Sequence, residues 1–385
     1  TPQQWPFKPG DTFGKTRLYE DGVFPTPDGR ARFVNTVFKP TAEQRESRYP
    51  FSLTTGRLRD HWHGMSRTGT LGRLFGHVAE PAIQMHPQDM QRRQLNEGDL
   101  VHVTSKRGSI VVPVRPSNEV ALSQAFMAMH WGSEFLSGRS STGERLSGVN
   151  ALTTSAYCPS SKQPELKHAA VKILKAELPW NLLAVAWLPA DQAHIQRAAL
   201  QKLMDRFEFA ACVPFGREQE GLLFRAAGNY APADDSLVLI ERALGLHTDD
   251  TLRYEDKKHG QRRAARLVRT ATGGAALQGF VLAGDTSAQA WIKTLLQDQL
   301  DAQAYGRLLL KPGAQAPVAI QPQGAQVCTC FNVTEPDIDA FLATCDGSPE
   351  HRLSALQSQL KCGTNCGSCL PQLKRMVRAG AAQPA

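Results

Sequence analysis

The sequence predicts a multidomain protein: a β-rich domain, then an α/β spacer domain, then a small helical module built on four cysteines. Three observations carry this. A chain of 385 residues exceeds what one ordinary hydrophobic core serves. Apolar runs broken by turn residues dominate to about Ala176, and strand-like and helix-like pieces alternate after it. Six of the eight cysteines fall between Cys328 and Cys369.

Thr1 to about Ser47 is rich in proline, glycine and charge. Phe24 to Arg30 reads as a turn before a short strand, Ala31 to Val34. Tyr49 to Thr54 reads as a strand. Asp99 to Val103 and Ser109 to Val114 flank Lys106-Arg107-Gly108 and read as a hairpin. From Leu178 to Ala325 the pieces are an apolar run (Leu182 to Trp187), a helix (Ala190 to Phe207), strand-like segments (Leu237 to Ile240, Gly279 to Leu282) and a helix from Ser287 to Leu300. Pro312 to Gln326 has the composition of a linker, and the tail after Val377 that of a frayed end. The expected boundaries are 1–176 (core about 48–174), 177–325, 326–378, and a tail at 379–385.

Hydrophobic content of 41% and charged content of 21% read as soluble and globular. No apolar run approaches the roughly 20 residues of a membrane helix. The first residues show no signal peptide, and the start looks like the middle of a longer protein. The net charge of +8 suits an anionic ligand, though an ordinary soluble protein can also carry it. The basic run Arg262-Arg263-Ala264-Ala265-Arg266 reads as a solvated face.

The cysteine pattern is Cys328-Thr329-Cys330, a gap of 35 residues, then Cys366-Gly367-Ser368-Cys369. Without a visible signal peptide, such clustering points to metal ligands rather than disulfides. Two amphipathic helices fill the gap. One starts at Thr334 and Asp337 with Ile338, Phe341 and Leu342 on one face, the other at Ser348-Pro349 with Leu353, Leu356 and Leu360 inward. A third begins at Pro371, placing the second cysteine pair at a helix N-terminus, where an anionic cluster is favoured. Cys345 reads as a packed core thiol and Cys362 as a neighbour of the ligands. The C-x-C pair tilts against zinc and towards an iron–sulfur cluster; a structural zinc and a redox Cys-x-x-Cys stay open.

Resemblance sharpens this. Val327-Cys328-Thr329-Cys330-Phe331-Asn332-Val333-Thr334 and Cys362 to Pro371 resemble the [2Fe-2S] domain of bacterioferritin-associated ferredoxins, over about 50 residues. That implies Cys328, Cys330, Cys366 and Cys369 as ligands of a [2Fe-2S] cluster.

Thr54 to Gly64 follows a strand and contains Arg57, His61, Trp62 and His63. Glycine lets backbone N–H groups approach a ligand, and Arg57 could grip a phosphate. On residue types alone a packed aromatic turn is the favoured reading. The same segment resembles the C-terminal domain of molybdopterin oxidoreductases, especially nitrate reductases. So do Met85 to Asp89 with Asn96 to Val101, Lys106 to Gly108, Asn150 to Thr153, and Pro159 to Lys167. The resemblance implies a double-psi β-barrel that clamps molybdopterin guanine dinucleotide through Thr55, Gly56, Arg57, His61, Trp62, His63, Gly64, Asn150, Lys162 and Lys167. His130-Trp131 would lie on the substrate side. Tyr254 to Asp256, His259-Gly260 and Gly279 to Asp285 resemble a segment before the ferredoxin-like module in nitrite and assimilatory nitrate reductases.

The order of parts resembles the C-terminal part of bacterial assimilatory nitrate reductase catalytic subunits. The resemblance implies a molybdenum bis-molybdopterin guanine dinucleotide centre reducing nitrate to nitrite, with electrons relayed by the [2Fe-2S] cluster. It implies a [4Fe-4S] cluster and the protein ligand to molybdenum in a preceding part, so this chain alone would be inactive and its own catalytic residues are unknown. The donor would be an NADH-linked flavoprotein subunit, a ferredoxin or a flavodoxin. Neither nucleic acid nor membrane is an expected partner, and the expected location is cytoplasmic. A formate dehydrogenase or another molybdopterin oxidoreductase, and a non-enzymatic electron-transfer or docking protein, are the alternatives.

Overall fold

The computed structural model describes residues 4–165, 167–271, 273–316, 320 and 323–379, in two compact units, 1–41 and 42–385. In the first unit the expected turn forms: Phe24 N–H donates to the Gly29 carbonyl at 2.9 Å. The expected strand Ala31 to Val34 does not form. Phe33 and Val34 are exposed and their backbone is irregular, so nothing buries the apolar side chains that suggested a strand.

The second unit opens with a closed six-stranded barrel. Its strands are β1 (Phe51–Gly56), β2 (Ile83–Met85), β3 (Leu100–Thr104), β4 (Ser109–Pro116), β5 (Gln124–Ala128) and, after the short β6 (Leu136–Gly138), β7 (His168–Lys175). The order around the barrel is β1-β5-β2-β4-β3-β7. β1 runs parallel to β5 and β2 parallel to β4, and the other neighbours are antiparallel. The expected hairpin is β3–β4, with Thr104 opposite Ser109. A short helix α1 (Pro87–Arg92) follows β2, its first turn capped by the His86 ring, which accepts from Gln88 N–H.

A seven-stranded sheet follows, built from β8 (Trp180–Trp187), β9 (Phe209–Phe215), β10 (Gly221–Gly228), β11 (Thr251–Asp256), β12 (Gln261–Arg269) and β13 (Ala275–Gly284), in the order β11-β12-β13-β8-β10-β9-β6. Every pairing in it is antiparallel, so the spacer is α+β rather than α/β. Its central strands β8, β9, β10 and β13 are buried on both faces. Leu182, Ala184, Cys212, Phe224 and Val281 pack with helices α2 (Ala190–Gln201) and α3 (Asp234–Ala243). Leu183, Val185, Val213, Leu223 and Phe280 pack with α4 (Gln289–Gln297) and with the barrel.

Three expectations are corrected here. Leu237 to Ile240 belongs to helix α3, because Leu237, Ile240 and Leu244 recur at helical spacing and Asp234 and Asp235 favour a helix N-terminus. The helix from Ala190 stops at Gln201, since Leu200, Leu203, Met204 and Phe207 all enter one core and the chain must turn to place them. The basic run is not a solvated face. On β12, Arg262 pairs with buried Glu241 at 2.6 and 2.9 Å, Arg263 with Asp285, and Arg266 with Asp250.

The last region holds β14 (Gln326–Cys328), β15 (Val333–Thr334), α5 (Glu335–Leu342), α6 (Pro349–Leu360) and α7 (Leu370–Ala379). The expected capping box at Thr334 and Asp337 forms, and Ser348 caps α6. Val327, Ile338, Leu342, Leu356, Leu373 and Val377 make a separate small core. Cys345 lies outside that core: α5 ends at Leu342, and the half-buried thiol sits in the turn beyond it. Parts of the expected linker and tail (317–319, 321–322, 380–385) lie outside the described residues, as does Leu166. Among the described residues no helix is long and apolar enough to cross a membrane.

Candidate cofactor-binding sites

Strand register gathers one site at one end of the barrel. Gly56 ends β1 opposite Ala128, the last residue of β5, and the Gly56 carbonyl accepts from Met129 N–H at 3.0 Å. His130 therefore emerges beside Arg57. Across β1, Thr54 faces His168, so the turn bearing Lys167 enters β7 at the same end.

His61 and His130 are buried, at 7% and 2% exposure, with ring centroids 6.0 Å apart. His61 Nδ1 lies 3.1 Å from the Thr68 hydroxyl, and its ring meets the Phe75 face edge-on at 4.7 Å. His61 Nε2 and both His130 nitrogens have no hydrogen-bond partner among the described residues. Burial, with His130 nearby, pushes His61 down to about 4; burial, then the Arg57 cation, lowers His130. Both rings are thus neutral at pH 7. An unsatisfied buried polar group costs about 1–3 kcal/mol, and three at one spot beside an arginine suit an anionic, hydrogen-bonding ligand. Trp62 is 55% exposed, its ring tilted against that of His63 with centroids 4.5 Å apart. His63, Gly64 and Met65 have φ of 43°, 61° and 66°, a left-handed run that strains the two residues with side chains.

The structure thus brings Thr55, Gly56, Arg57 and His61 together with His130. Other predicted residues lie apart from these contacts. Asn150 is exposed in a one-turn helix. Lys162 lies over the Tyr157 ring at 5.4 Å, and Lys167 is exposed. Trp131 is corrected: it is fully buried against Phe75 and Phe135, which makes it part of the core rather than the substrate side.

The four cysteines form two pairs. Cys330 Sγ lies 3.4 Å from Cys366 Sγ near the surface; Cys328 and Cys369 are buried together in the small core. A tetrahedral metal with metal–sulfur bonds of about 2.3 Å holds two thiolates a little under about 4 Å apart, so the spacing of Cys330 and Cys366 suits one metal. Among the described residues no three His, Cys, Asp or Glu side chains gather for a single ion. Cys369 directly precedes α7, where free N–H groups favour anionic charge. The Ser368 hydroxyl, 3.2 Å from Cys366 Sγ, is the main influence holding that thiol below its usual range. Burial, then the neighbouring Cys328, pushes Cys369 up to about 12.

The two sites touch, through a residue that sequence reasoning missed. Asp60, on the loop between Arg57 and His61, accepts hydrogen bonds from Thr329 and Ser368, which lie inside the two cysteine motifs. Its partners are 269 and 308 positions away, so no local signal marks it.

Comparison with known proteins agrees with this geometry. Residues 51–170 match the molydopterin dinucleotide binding domain, and residues 326–379 the BFD-like [2Fe-2S] binding domain. Two regions of the chain are thus similar, in this order, to a molybdopterin dinucleotide-binding domain and a [2Fe-2S]-binding domain. It is 30% identical over 357 residues to a nitrate reductase of Klebsiella oxytoca, covering 92% of this chain and 37% of the relative. A nitrate reductase of Shewanella frigidimarina is 24% identical over 423 residues, 98% of this chain and 40% of the relative. The F420-dependent formate dehydrogenase subunit alpha of Methanocaldococcus jannaschii is 32% identical over 169 residues, 44% of this chain and 23% of the relative. The chain therefore spans less than half the length of these relatives, and both nitrate reductases align across both domains.

Proposed function

We propose that this chain is the C-terminal part of a molybdenum-dependent nitrate reductase of the assimilatory type. The observation that carries it is the hydrogen-bonded seating of the four-thiol module on the dinucleotide-binding loop, within a chain that aligns to nitrate reductases over 92% of its length. When bound, the molybdenum cofactor supplies two-electron reduction of nitrate to nitrite, and the [2Fe-2S] cluster supplies one-electron transfer. In this reading Thr55, Gly56, Arg57 and His61 to Gly64 hold the guanine dinucleotide part of molybdopterin guanine dinucleotide, aided by Asn150, Lys162 and Lys167. His130, neutral at pH 7, offers a donor and an acceptor beside them. Cys328, Cys330, Cys366 and Cys369 hold the [2Fe-2S] cluster. The parallel pairs β1–β5 and β2–β4 support a double-psi form for the barrel.

The finer parts of the reading follow the family. A [4Fe-4S] cluster and molybdenum's protein ligand belong to another part of the enzyme. The donor is an NADH-linked flavoprotein, a ferredoxin or a flavodoxin, and the location is cytoplasmic. The internal pairing of the Arg262–Arg266 run supports a protein that does not use that run to bind nucleic acid. The test uses the enzyme containing this chain. It should reduce nitrate with a reduced viologen donor. Formate oxidation in place of nitrate reduction would hand the case to the formate dehydrogenase reading, which the shorter match to the Methanocaldococcus jannaschii protein favours.

A further inference from the structure

We propose that Asp60 is a positioning residue for the cluster: its carboxylate seats both cysteine loops on the dinucleotide-binding loop and keeps a negative charge against the cluster site. The proposal rests on the reading that Cys328, Cys330, Cys366 and Cys369 hold a [2Fe-2S] cluster.

The Asp60 side chain is 6% exposed. One oxygen accepts from the Thr329 hydroxyl at 3.0 Å and the other from the Ser368 hydroxyl at 3.4 Å. Thr329 is the middle residue of Cys328-Thr329-Cys330, and Ser368 lies between Cys366 and Cys369. One carboxylate therefore holds the loop of each cysteine pair. Arg59 grips both Asp60 oxygens at 3.1 Å each, and its remaining nitrogen donates to Gln372 in α7 at 3.1 Å. Arg73 reaches the Thr329 carbonyl at 3.5 Å. A buried carboxylate so paired keeps its charge.

The Ser368 hydroxyl has one proton and two acceptors in reach: Asp60 at 3.4 Å and Cys366 Sγ at 3.2 Å. Asp60 competes with the thiolate for that proton. Local charge and hydrogen bonds to sulfur both set a cluster's reduction potential. Asp60→Asn keeps the shape, removes the charge and releases the hydroxyl towards Cys366. Both changes favour the reduced, more negative cluster, so the potential should rise. Arg59→Gln leaves the Asp60 charge uncompensated, so the potential should fall. A residue that merely packs would not move the potential in opposite directions for the two members of one ion pair.

The experiment reconstitutes the full 385-residue chain anaerobically with iron and sulfide, then titrates its midpoint potential by electron paramagnetic resonance and visible absorbance. D60N is expected to keep the [2Fe-2S] spectrum. Its oxidised-to-reduced ratio at fixed potential should shift about tenfold, an upward move of about 59 mV; R59Q should move the other way. Potentials equal to wild type, or shifts of the same sign in both variants, overturn the role of Asp60 while leaving the cluster reading intact. Should D60N fail to hold a cluster, R59Q decides: a downward shift supports the proposal, and an unchanged or upward one overturns it. A wild-type chain that forms no [2Fe-2S] spectrum overturns the cluster reading, and this proposal with it.

Discussion

Cys362 and Cys366 are four positions apart and occupy different environments. Cys362 is fully buried in the small core, where burial and then the adjacent Cys328 push its thiol up to about 11. Cys366 is exposed, beside Cys330, with a hydroxyl donor at its sulfur. On the proposed ligand set, Cys366→Ser should bleach the visible spectrum, because a hard oxygen replaces a soft thiolate. Cys362→Ala should keep the spectrum and lower thermal stability by about 1–2 kcal/mol through lost packing. A colourless Cys362→Ala protein alongside a coloured Cys366→Ser protein would move the ligand by one cysteine. The cysteines were legible because ligand spacing is a short-range property of the chain. The meeting of His61 with His130 was not, since β5 must run parallel to β1 to deliver it, and no local pattern encodes that pairing.

Among the elements, those with their own stop and start signals were the readable ones. The β3–β4 hairpin has its glycine turn, and α5 and α6 have Thr334 and Ser348 as caps. The run Leu237-Val238-Leu239-Ile240 looks extended by composition and is helical because three-and-four spacing buries Leu237 and Ile240 under the sheet. Strand β12 was harder still, since its arginines suggested solvent. Arg262 meets Glu241, a carboxylate with no exposed surface, and His247 Nδ1 lies 3.6 Å from the same group. Arg262→Met should therefore strand a buried charge and cost on the order of 3–5 kcal/mol, read as a fall in the thermal midpoint. Adding Glu241→Gln to that variant should restore part of the loss. No recovery would mean that the arginine stem, rather than its charge, supports the strand.

For the molecule as a whole, the order of parts was legible and their fusion was not. Glu80, before β2, forms ion pairs with Arg225 of β10 at 3.3 Å and Lys293 of α4 at 3.5 Å, tying barrel to sheet and helix. Burial alone would raise the Glu80 carboxyl; Arg225, Lys293 and Arg115 outweigh it and hold it near 2, against an ordinary 4.5. Burial lowers the Lys293 ammonium, so the net worth of the cluster is smaller than the carboxylate's share. A depressed acid stabilises above its unfolded value and loses that contribution as pH falls through its folded value. Glu80 should thus contribute on the order of 3 kcal/mol at neutral pH, lost between about pH 4.5 and about pH 2. Glu80→Gln should lower the thermal midpoint at pH 7 and flatten the acid limb in that window; an acid limb identical to wild type would remove Glu80 from the account. A last consequence lies in β6. Three residues of the barrel's own loop, Leu136 to Gly138, form the outermost rung of the seven-stranded sheet against β9. Severing the chain near 176, where composition suggests a seam, would strip that rung away. It would leave Phe209–Phe215, a strand with every residue buried, as a bare apolar border able to recruit the same border of another copy. The smallest piece that could be handled alone is therefore set by a loop that changes sheets, and the excised C-terminal piece would carry a bare sheet border that the intact chain covers.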